Sequence, residues 1–331
     1  MSSNKYIFEM QLARGIGILL VTFGHSIPLK DSYPSIYNFI YSFHMPLFFF
    51  LSGFFASKLL HISSLNDWIS SIKKNTLKLI IPYFTISLSY GLIKYFIPNM
   101  VKRPFVWQDI FYVITAYPLR NPALFLWFLY LIIIMRIVTP IISKINPWLL
   151  FVFLLTFQFF PVDWELFAVG WFLNYFIYYF MGIQASLLRN NFFNLMKKHS
   201  LTPLIFAVFL ISYILLIHLE YSILRYFTAC AGTFFVISLC FSFFNFMPKN
   251  ILEKLGSYSL QIYLLQFFFI FPLAFLLNKI NCPDYLIIAA TFAVGLICPI
   301  LVTVDFFPKS KVLSLLYGGI DRSGNYSIKK P

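Results

Sequence analysis

The sequence predicts an all-α protein in which a polytopic bundle of about ten transmembrane helices forms the fold. Hydrophobic residues make up 60% of the chain and charged residues 11%, whereas about a quarter of the residues in a soluble domain are charged. Several segments stay apolar for ~17–25 residues, the length that a helix needs to cross ~30 Å of hydrocarbon. These runs lack the alternation of an outer-membrane β-barrel, so helices are the expected spanning elements.

The predicted spans follow one another with short loops between them. They are Phe8–Leu29, Tyr37–Leu60, Thr76–Ile97, Pro122–Ile142, Pro147–Phe160, Leu166–Leu188, Leu201–His218, Ile223–Phe246, Tyr258–Asn278 and Tyr285–Phe307. A short tail of residues 308–331 follows, and residues 1–331 are expected to form one membrane-embedded domain. The four cysteines lack the spacing of a metal site or a disulfide framework, so no metal centre is expected.

The distribution of basic residues predicts the orientation. If the amino terminus lies in the cytoplasm, most loop lysines and arginines fall on that side. The positive-inside rule then predicts that both termini are cytoplasmic and that the number of spans is even. The basic residues are scattered over several loops and form no single stripe, so the net charge of +14 reflects topology and does not indicate a nucleic-acid partner.

One polar pair distinguishes the first predicted span. The segment RGIGILLVTFGH begins at Arg14 and ends at His25, eleven residues later. At ~3.6 residues per turn and ~1.5 Å rise per residue, the two side chains share one helix face and lie roughly 16 Å apart along the axis. Ionisable residues inside a span are costly and usually mark a functional site. We therefore predict that this pair carries the function.

A second histidine is expected at the same depth as His25. In the predicted orientation the second span runs back toward the cytoplasm, and His44 lies roughly two turns below its outer end. The two histidines are therefore predicted to approach each other in the outer third of the membrane, with Arg14 on the cytoplasmic side. The pattern indicates a path across the membrane with a cation at one end and imidazoles, which exchange protons near neutral pH, at the other.

Several motifs follow one another in a set order. They are Arg14 with His25, FHMPLFFFLSGFF (Phe43–Phe55), the basic stretch of Lys73, Lys74 and Lys78 before IPYF (Ile81–Phe84), LWFL (Leu126–Leu129) and LGSYSLQIYLLQ (Leu255–Gln266). Together they resemble the acyltransferase 3 family of integral membrane acyltransferases. The histidine before Met-Pro is similar to the fucose 4-O-acetylase-like branch. The chain departs from many members at Gln11, where an acidic residue is common, and at Gln266, where a histidine is common.

The resemblance implies an integral membrane O-acetyltransferase in the cell membrane of a bacterium. Such an enzyme moves an acetyl group from cytoplasmic acetyl-coenzyme A, bound as a substrate and not as a resident cofactor, to a hydroxyl of a cell-surface or lipid-linked glycan. In that interpretation His25 and Arg14 are the catalytic residues, with His25 as the general base, and Arg14, Lys73, Lys74 and Lys78 bind the donor. The acceptor is expected from the outer side, near His44, Ser52, Trp107 and Trp164.

Several of these residues also have purely structural explanations. His44 equally fits a hydrogen bond between helices, and the Ser52-Gly53 pair favours close helix packing. The three lysines are explained in part by topology. A polytopic transporter or flippase would use intramembrane arginine and histidine as a substrate or proton path, although the sequence lacks the paired halves with broken helices that many transporters have. A non-enzymatic partner in glycan synthesis is the third alternative.

Overall fold

The predicted all-α fold is confirmed. The structure is a computed structural model, and it describes residues 7–62, 64–96 and 110–318. In those segments the regular structure is helical, without a β-strand. The helices pack side by side as a bundle with apolar surfaces of the length that a membrane requires, which is the architecture of a polytopic membrane protein.

The helix bounds are as follows. The first half contains α1 Phe8–Gly24, α2 Leu29–Ser32, α3 Pro34–Tyr41, α4 His44–Ala56, α5 Leu65–Ser71, α6 Leu77–Phe96, α7 Ile110–Thr115, α8 Trp127–Ile142 and α9 Pro147–Phe159. The second half contains α10 Val169–Leu187, α11 Arg189–Met196, α12 Leu201–Leu219, α13 Ser222–Ser242, α14 Lys249–Ser257, α15 Ser259–Lys279, α16 Asp284–Leu301 and α17 Lys311–Leu316. A 3₁₀ segment, Ser57–His61, extends α4, and a π-helical segment, Ile72–Thr76, joins α5 to α6.

Within the described residues, 8 helical stretches are long and apolar enough to cross a membrane. They are Pro34–His61, Leu65–Phe96, Leu124–Ile142, Leu166–Leu187, Leu201–Leu219, Ser222–Ser242, Ser259–Lys279 and Asp284–Lys309. The other two predicted spans correspond to shorter helices, α1 with 17 residues and α9 with 13. At ~1.5 Å per residue α1 covers roughly 25 Å, less than the ~30 Å of a hydrocarbon core.

The first helix ends earlier than the sequence predicts, at Gly24 and not at Leu29. Pro28 explains the difference, because it has no N–H to continue the helix and disfavours helical geometry in the residue before it. His25 therefore caps the carboxyl end of α1 and does not lie on the face of a continuing helix. Because α1 ends at Gly24, His25 lies at the start of the turn between α1 and α2.

The second predicted span is also interrupted. It was expected to be continuous over Tyr37–Leu60, but Ser42 and Phe43 separate α3 from α4. Pro46 follows two residues after the start of α4, and its missing N–H leaves the carbonyl of Ser42 without a helical partner. The break places His44 at the first position of α4, opposite the end of α1.

Small residues determine how closely the central helices approach. A Cβ atom on Gly53 of α4 would lie 1.9 Å from the carbonyl oxygen of Tyr179 in α10, and one on Gly182 of α10 would lie 2.0 Å from that of Phe50. The backbones of α4 and α10 therefore touch, which is possible only where a side chain is missing. This supports the close-packing interpretation of the Ser52-Gly53 pair.

Helix α12 lies at the periphery of the bundle, and the start of the predicted tail contacts the bundle from outside its centre. The span of α12 is only 17% buried inside the protein, so most of its surface faces the surroundings. The predicted tail contains α17, which is followed by Tyr317. The hydroxyl of Tyr317 lies 3.2 Å from Ser89 Oγ of α6. Gln261 of α15 donates a hydrogen bond to the carbonyl of Gly318 at 2.6 Å. The start of the tail thus packs against the bundle.

Candidate active site

His25 is held in an aromatic environment at the end of α1. Its ring centroid lies 4.7 Å from that of Phe267 in α15 and 6.4 Å from that of Tyr41 in α3. The residue as a whole keeps partial exposure, whereas its Nδ1 atom is buried with no hydrogen-bond partner among the described residues. The Nδ1 edge of the imidazole is therefore enclosed by protein, while part of the residue keeps contact with an accessible surface.

His44 is more deeply buried, with 1% of its surface exposed. Its Nδ1 lies 2.8 Å from the carbonyl oxygen of Ile40, a carbonyl at the end of α3. Because a carbonyl oxygen only accepts, Nδ1 must carry the hydrogen. The neutral ring then has its lone pair on Nε2. The carbonyl of Ile40, just before the break between α3 and α4, thus fixes the tautomer of His44.

Tyr41 connects the two histidines. Its ring lies 4.4 Å from the ring of His44 and 6.4 Å from that of His25, and Gly24 leaves space for it, since a Cβ there would lie 2.9 Å from the Tyr41 ring. The two histidines also interact electrostatically. The structure therefore brings together the pair that the sequence placed at the same depth on neighbouring helices.

Buried polar atoms without partners surround His25. In the described part of the chain, Thr22 Oγ1, His25 Nδ1 and Gln266 Oε1 are all buried and make no hydrogen bond within the protein. Thr22 lies one turn before His25 on α1, and Gln266 precedes Phe267 on α15. Because buried polar groups are nearly always satisfied, such a group of atoms indicates that they bond to one another, to a ligand's polar atoms or to water.

Arg14 lies three turns away, on the predicted cytoplasmic side of α1. Its guanidinium donates a hydrogen bond to Gln11 Oε1 at 3.4 Å and lies over the ring of Phe55 in α4, 4.7 Å from the centroid. Gln11 in turn donates to Ser257 Oγ at 3.1 Å. At the position where many family members carry an acid, a neutral amide therefore orients the arginine.

The three predicted donor lysines are exposed on the chain between α5 and α6. Lys73 and Lys74 belong to the π-helical segment, and Lys78 lies in the first turn of α6. Lys74 is close enough to Lys58, after α4, to interact with it electrostatically, and so is Arg136 of α8. Three cations from different parts of the sequence thus meet at one end of the bundle.

Lys58 and Arg136 were not among the predicted site residues. In the sequence, Lys58 is one of the basic residues on the predicted cytoplasmic side, and Arg136 lies inside the predicted span Pro122–Ile142. The signal for Arg136 is the same as for Arg14, since an arginine within a membrane span requires a reason to be there. Lys58 follows Phe55 by three residues. The end of α4 that contacts Arg14 through Phe55 is therefore followed directly by a member of the basic cluster of Lys58, Lys74 and Arg136.

The predicted acceptor residues are not gathered at the histidines. Ser52 lies on α4 eight residues after His44, roughly 12 Å along the axis, beside the glycine that packs on α10. Trp164 is 57% exposed in the loop between α9 and α10. Trp107 lies outside the described residues. Of the four predicted acceptor contacts, only His44 lies next to His25 in the described structure.

The described segments contain no candidate metal site. They contain no group of three or more histidine, cysteine, aspartate or glutamate side chains that would hold a metal ion. The chemistry available at the site is that of imidazoles, hydroxyls and an amide near one end of α1, with cations near the other.

Comparison with known proteins identifies the family. No curated protein matches the chain, and no solved structure does. The Acyl_transf_3 family, described as an acyltransferase domain, matches residues 7–304, and the match names the family without a branch inside it. This range includes Arg14, His25, His44 and the basic cluster, together with all but the last of the helices described above. The chain belongs to the acyltransferase 3 family and is a membrane acyltransferase.

Proposed function

We propose that this protein is an O-acetyltransferase that takes the acetyl group of cytoplasmic acetyl-coenzyme A and transfers it to a hydroxyl of a cell-surface or lipid-linked glycan. The observation that supports the proposal is the pairing of His25 with His44 at two interrupted helices. A proton-accepting imidazole is thereby held inside the bundle, and Arg14 lies three turns away on the same helix.

Acetyl transfer to a hydroxyl requires a base for the proton of the acceptor. In the proposed reaction His25 takes that proton as the hydroxyl oxygen attacks the thioester carbonyl carbon. The carbon–sulfur bond then breaks, and coenzyme A leaves as a thiolate that takes up the proton. Histidine is the usual general base near neutral pH, and His25 as a residue is partly exposed, which is consistent with the approach of an acceptor.

Arg14 is too far from His25 to stabilise the reacting carbonyl oxygen, since roughly 16 Å separates them along α1. We assign it instead to the donor, whose phosphates and pantetheine arm would enter from the cytoplasm. The guanidinium stays charged even where it is partly buried. Lys58, which interacts electrostatically with Lys74 and with Arg136, supplies further positive charge for the phosphates together with these two residues, with Lys73 and Lys78 nearby.

The orientation is part of the same proposal. With both termini in the cytoplasm, Arg14 and the lysines between α5 and α6 face the compartment that contains acetyl-coenzyme A, and the histidines lie toward the outer side. The acceptor then arrives from outside or from the lipid bilayer. The protein would act in a bacterial cell membrane, as a single membrane domain and without a nucleic-acid partner.

Removing the donor lysines is expected to weaken donor binding. The triple variant Lys73→Gln, Lys74→Gln, Lys78→Gln should raise the KM for acetyl-coenzyme A and change kcat little, because charge contacts far from the reacting atoms are similar in the ground and transition states. The wild-type KM should rise with salt, since exposed charges are screened. A matched control is Lys197→Gln with Lys198→Gln, two exposed lysines after α11. An unchanged donor KM in the triple variant would assign these lysines to topology.

The function itself is tested on the cell surface. Cells that produce the wild-type protein should carry acetyl esters on surface glycans, and cells that lack it should have fewer or none. The esters are released by mild base and measured as acetate. If the glycans are equally acetylated in both strains but less glycan reaches the surface of cells lacking the protein, a transporter or flippase would replace the proposed enzyme.

A further inference from the structure

We infer that Gln266 is a positioning residue for His25. The Oε1 atom of Gln266 accepts a hydrogen bond from Nδ1–H of His25, so the lone pair of the imidazole lies on Nε2. That lone pair receives the proton of the acceptor hydroxyl. The inference rests on the proposed function, because it concerns the base of that reaction. It assigns a role to the residue at which this chain departs from the histidine of many family members.

The burial and the hydrogen bonding of Gln266 support this role. The side chain is completely buried, with 0% exposure, on the helix that packs Phe267 against the ring of His25 at 4.7 Å. Its Nε2 lies 3.4 Å from the carbonyl of Tyr263, which fixes the amide so that the nitrogen donates there. The oxygen then faces away from that carbonyl, and it has no donor among the described residues.

The Nδ1 atom of His25 lacks a hydrogen-bond partner that Gln266 Oε1 is able to supply. This nitrogen is buried and also without a partner in the described segments, and the two side chains are close enough to interact. An amide oxygen can only accept and a protonated ring nitrogen can only donate, so the two atoms are complementary hydrogen-bond partners. Catalytic hydrogen bonds are often long before substrate binds and shorten in the complex.

The consequence is a defined tautomer. When Gln266 accepts from Nδ1–H, the neutral ring of His25 has its lone pair on Nε2, as the Ile40 carbonyl already enforces for His44. The titratable groups that interact with His25 in the described structure are His44 of α4 and Tyr41 of α3, while α15 contributes Gln266 and Phe267. A neutral amide from α15 thus selects the tautomer without adding charge to the site.

The test compares two substitutions at this position by release of coenzyme A. Gln266→Leu removes the acceptor with little change in size, and we expect kcat to fall by roughly 10–100-fold, as for other groups that orient a histidine, with the donor KM unchanged. Gln266→Glu keeps an acceptor and should retain much of the activity. It should also move the acid limb of the pH–rate profile to higher pH, because a carboxylate favours the imidazolium.

The control is Gln261→Leu, one and a half turns earlier on α15, whose amide binds the carbonyl of Gly318 at 2.6 Å and not His25. It should leave the pH profile unchanged. If Gln266→Glu has the wild-type pH profile, or if Gln266→Leu keeps the wild-type kcat, the inference is wrong while the proposed function stands. If the wild-type protein releases no coenzyme A, the proposed function fails first. A Gln266→Leu variant that does not fold leaves the decision to the pH profile of Gln266→Glu.

Discussion

His25→Ala is expected to lose acetyl transfer by ~10²–10⁴-fold, the usual contribution of a general base. The variant should insert and fold, because replacing the imidazole by a methyl group removes a polar group with an unsatisfied buried atom from an apolar environment. The measurement is acetyl ester formation on the acceptor by membranes that contain equal amounts of each protein. The loss should appear mainly in kcat, since proton removal occurs in the transition state.

The matched control is His218→Ala, which changes an exposed histidine at the end of the peripheral helix α12. It should transfer acetyl groups at the wild-type rate. Should His25→Ala retain nearly wild-type turnover, the proposed base is wrong, and His44 becomes the remaining imidazole at the site.

The second large effect is expected in stability, from Gly53→Ala. The new Cβ would lie 1.9 Å from the carbonyl oxygen of Tyr179, a backbone atom that no side-chain rotation moves away. Overpacking typically costs on the order of 1–3 kcal/mol, and we expect the upper end or more, because α4 and α10 must separate. Thermal unfolding in detergent should show a clear decrease in melting temperature.

Gly17→Ala provides the comparison. There the Cβ would lie 2.9 Å from the far end of the Phe48 side chain, which shifts more easily than a backbone carbonyl, so the expected loss of stability is smaller. Equal melting temperatures for the two variants would contradict the backbone contact between α4 and α10.

The sequence predicted the helices well because the apolar runs that determine them are local. It missed where two of them are interrupted, although Pro28 and Pro46 are visible in the sequence. A proline at the end or in the first turn of a helix is compatible with a continuous apolar run, so hydropathy alone does not show the break. These two interruptions matter for function, because they place His25 and His44 at helix ends.

The sequence singles out Arg14, His25 and His44 as candidate site residues, because polar residues inside spans stand out one by one. The structure places His25 and His44 on either side of Tyr41. The sequence does not indicate a role for Gln266 or the interaction of Lys58 with Arg136, because both depend on contacts between helices. Spacing along one helix does not reveal such contacts. Ser52 was proposed for the acceptor, whereas the structure places it roughly 12 Å from His44 along α4.

In the proposed reaction this protein cleaves an acetyl thioester in a step that His25 makes possible. The most direct measurement is the release of free coenzyme A, detected as a new thiol, by purified protein given acetyl-coenzyme A and a glycan acceptor. We expect release that depends on the acceptor in the wild type and is lost in His25→Ala at equal protein concentration. Movement of the glycan across a vesicle membrane without any thioester cleavage would contradict it.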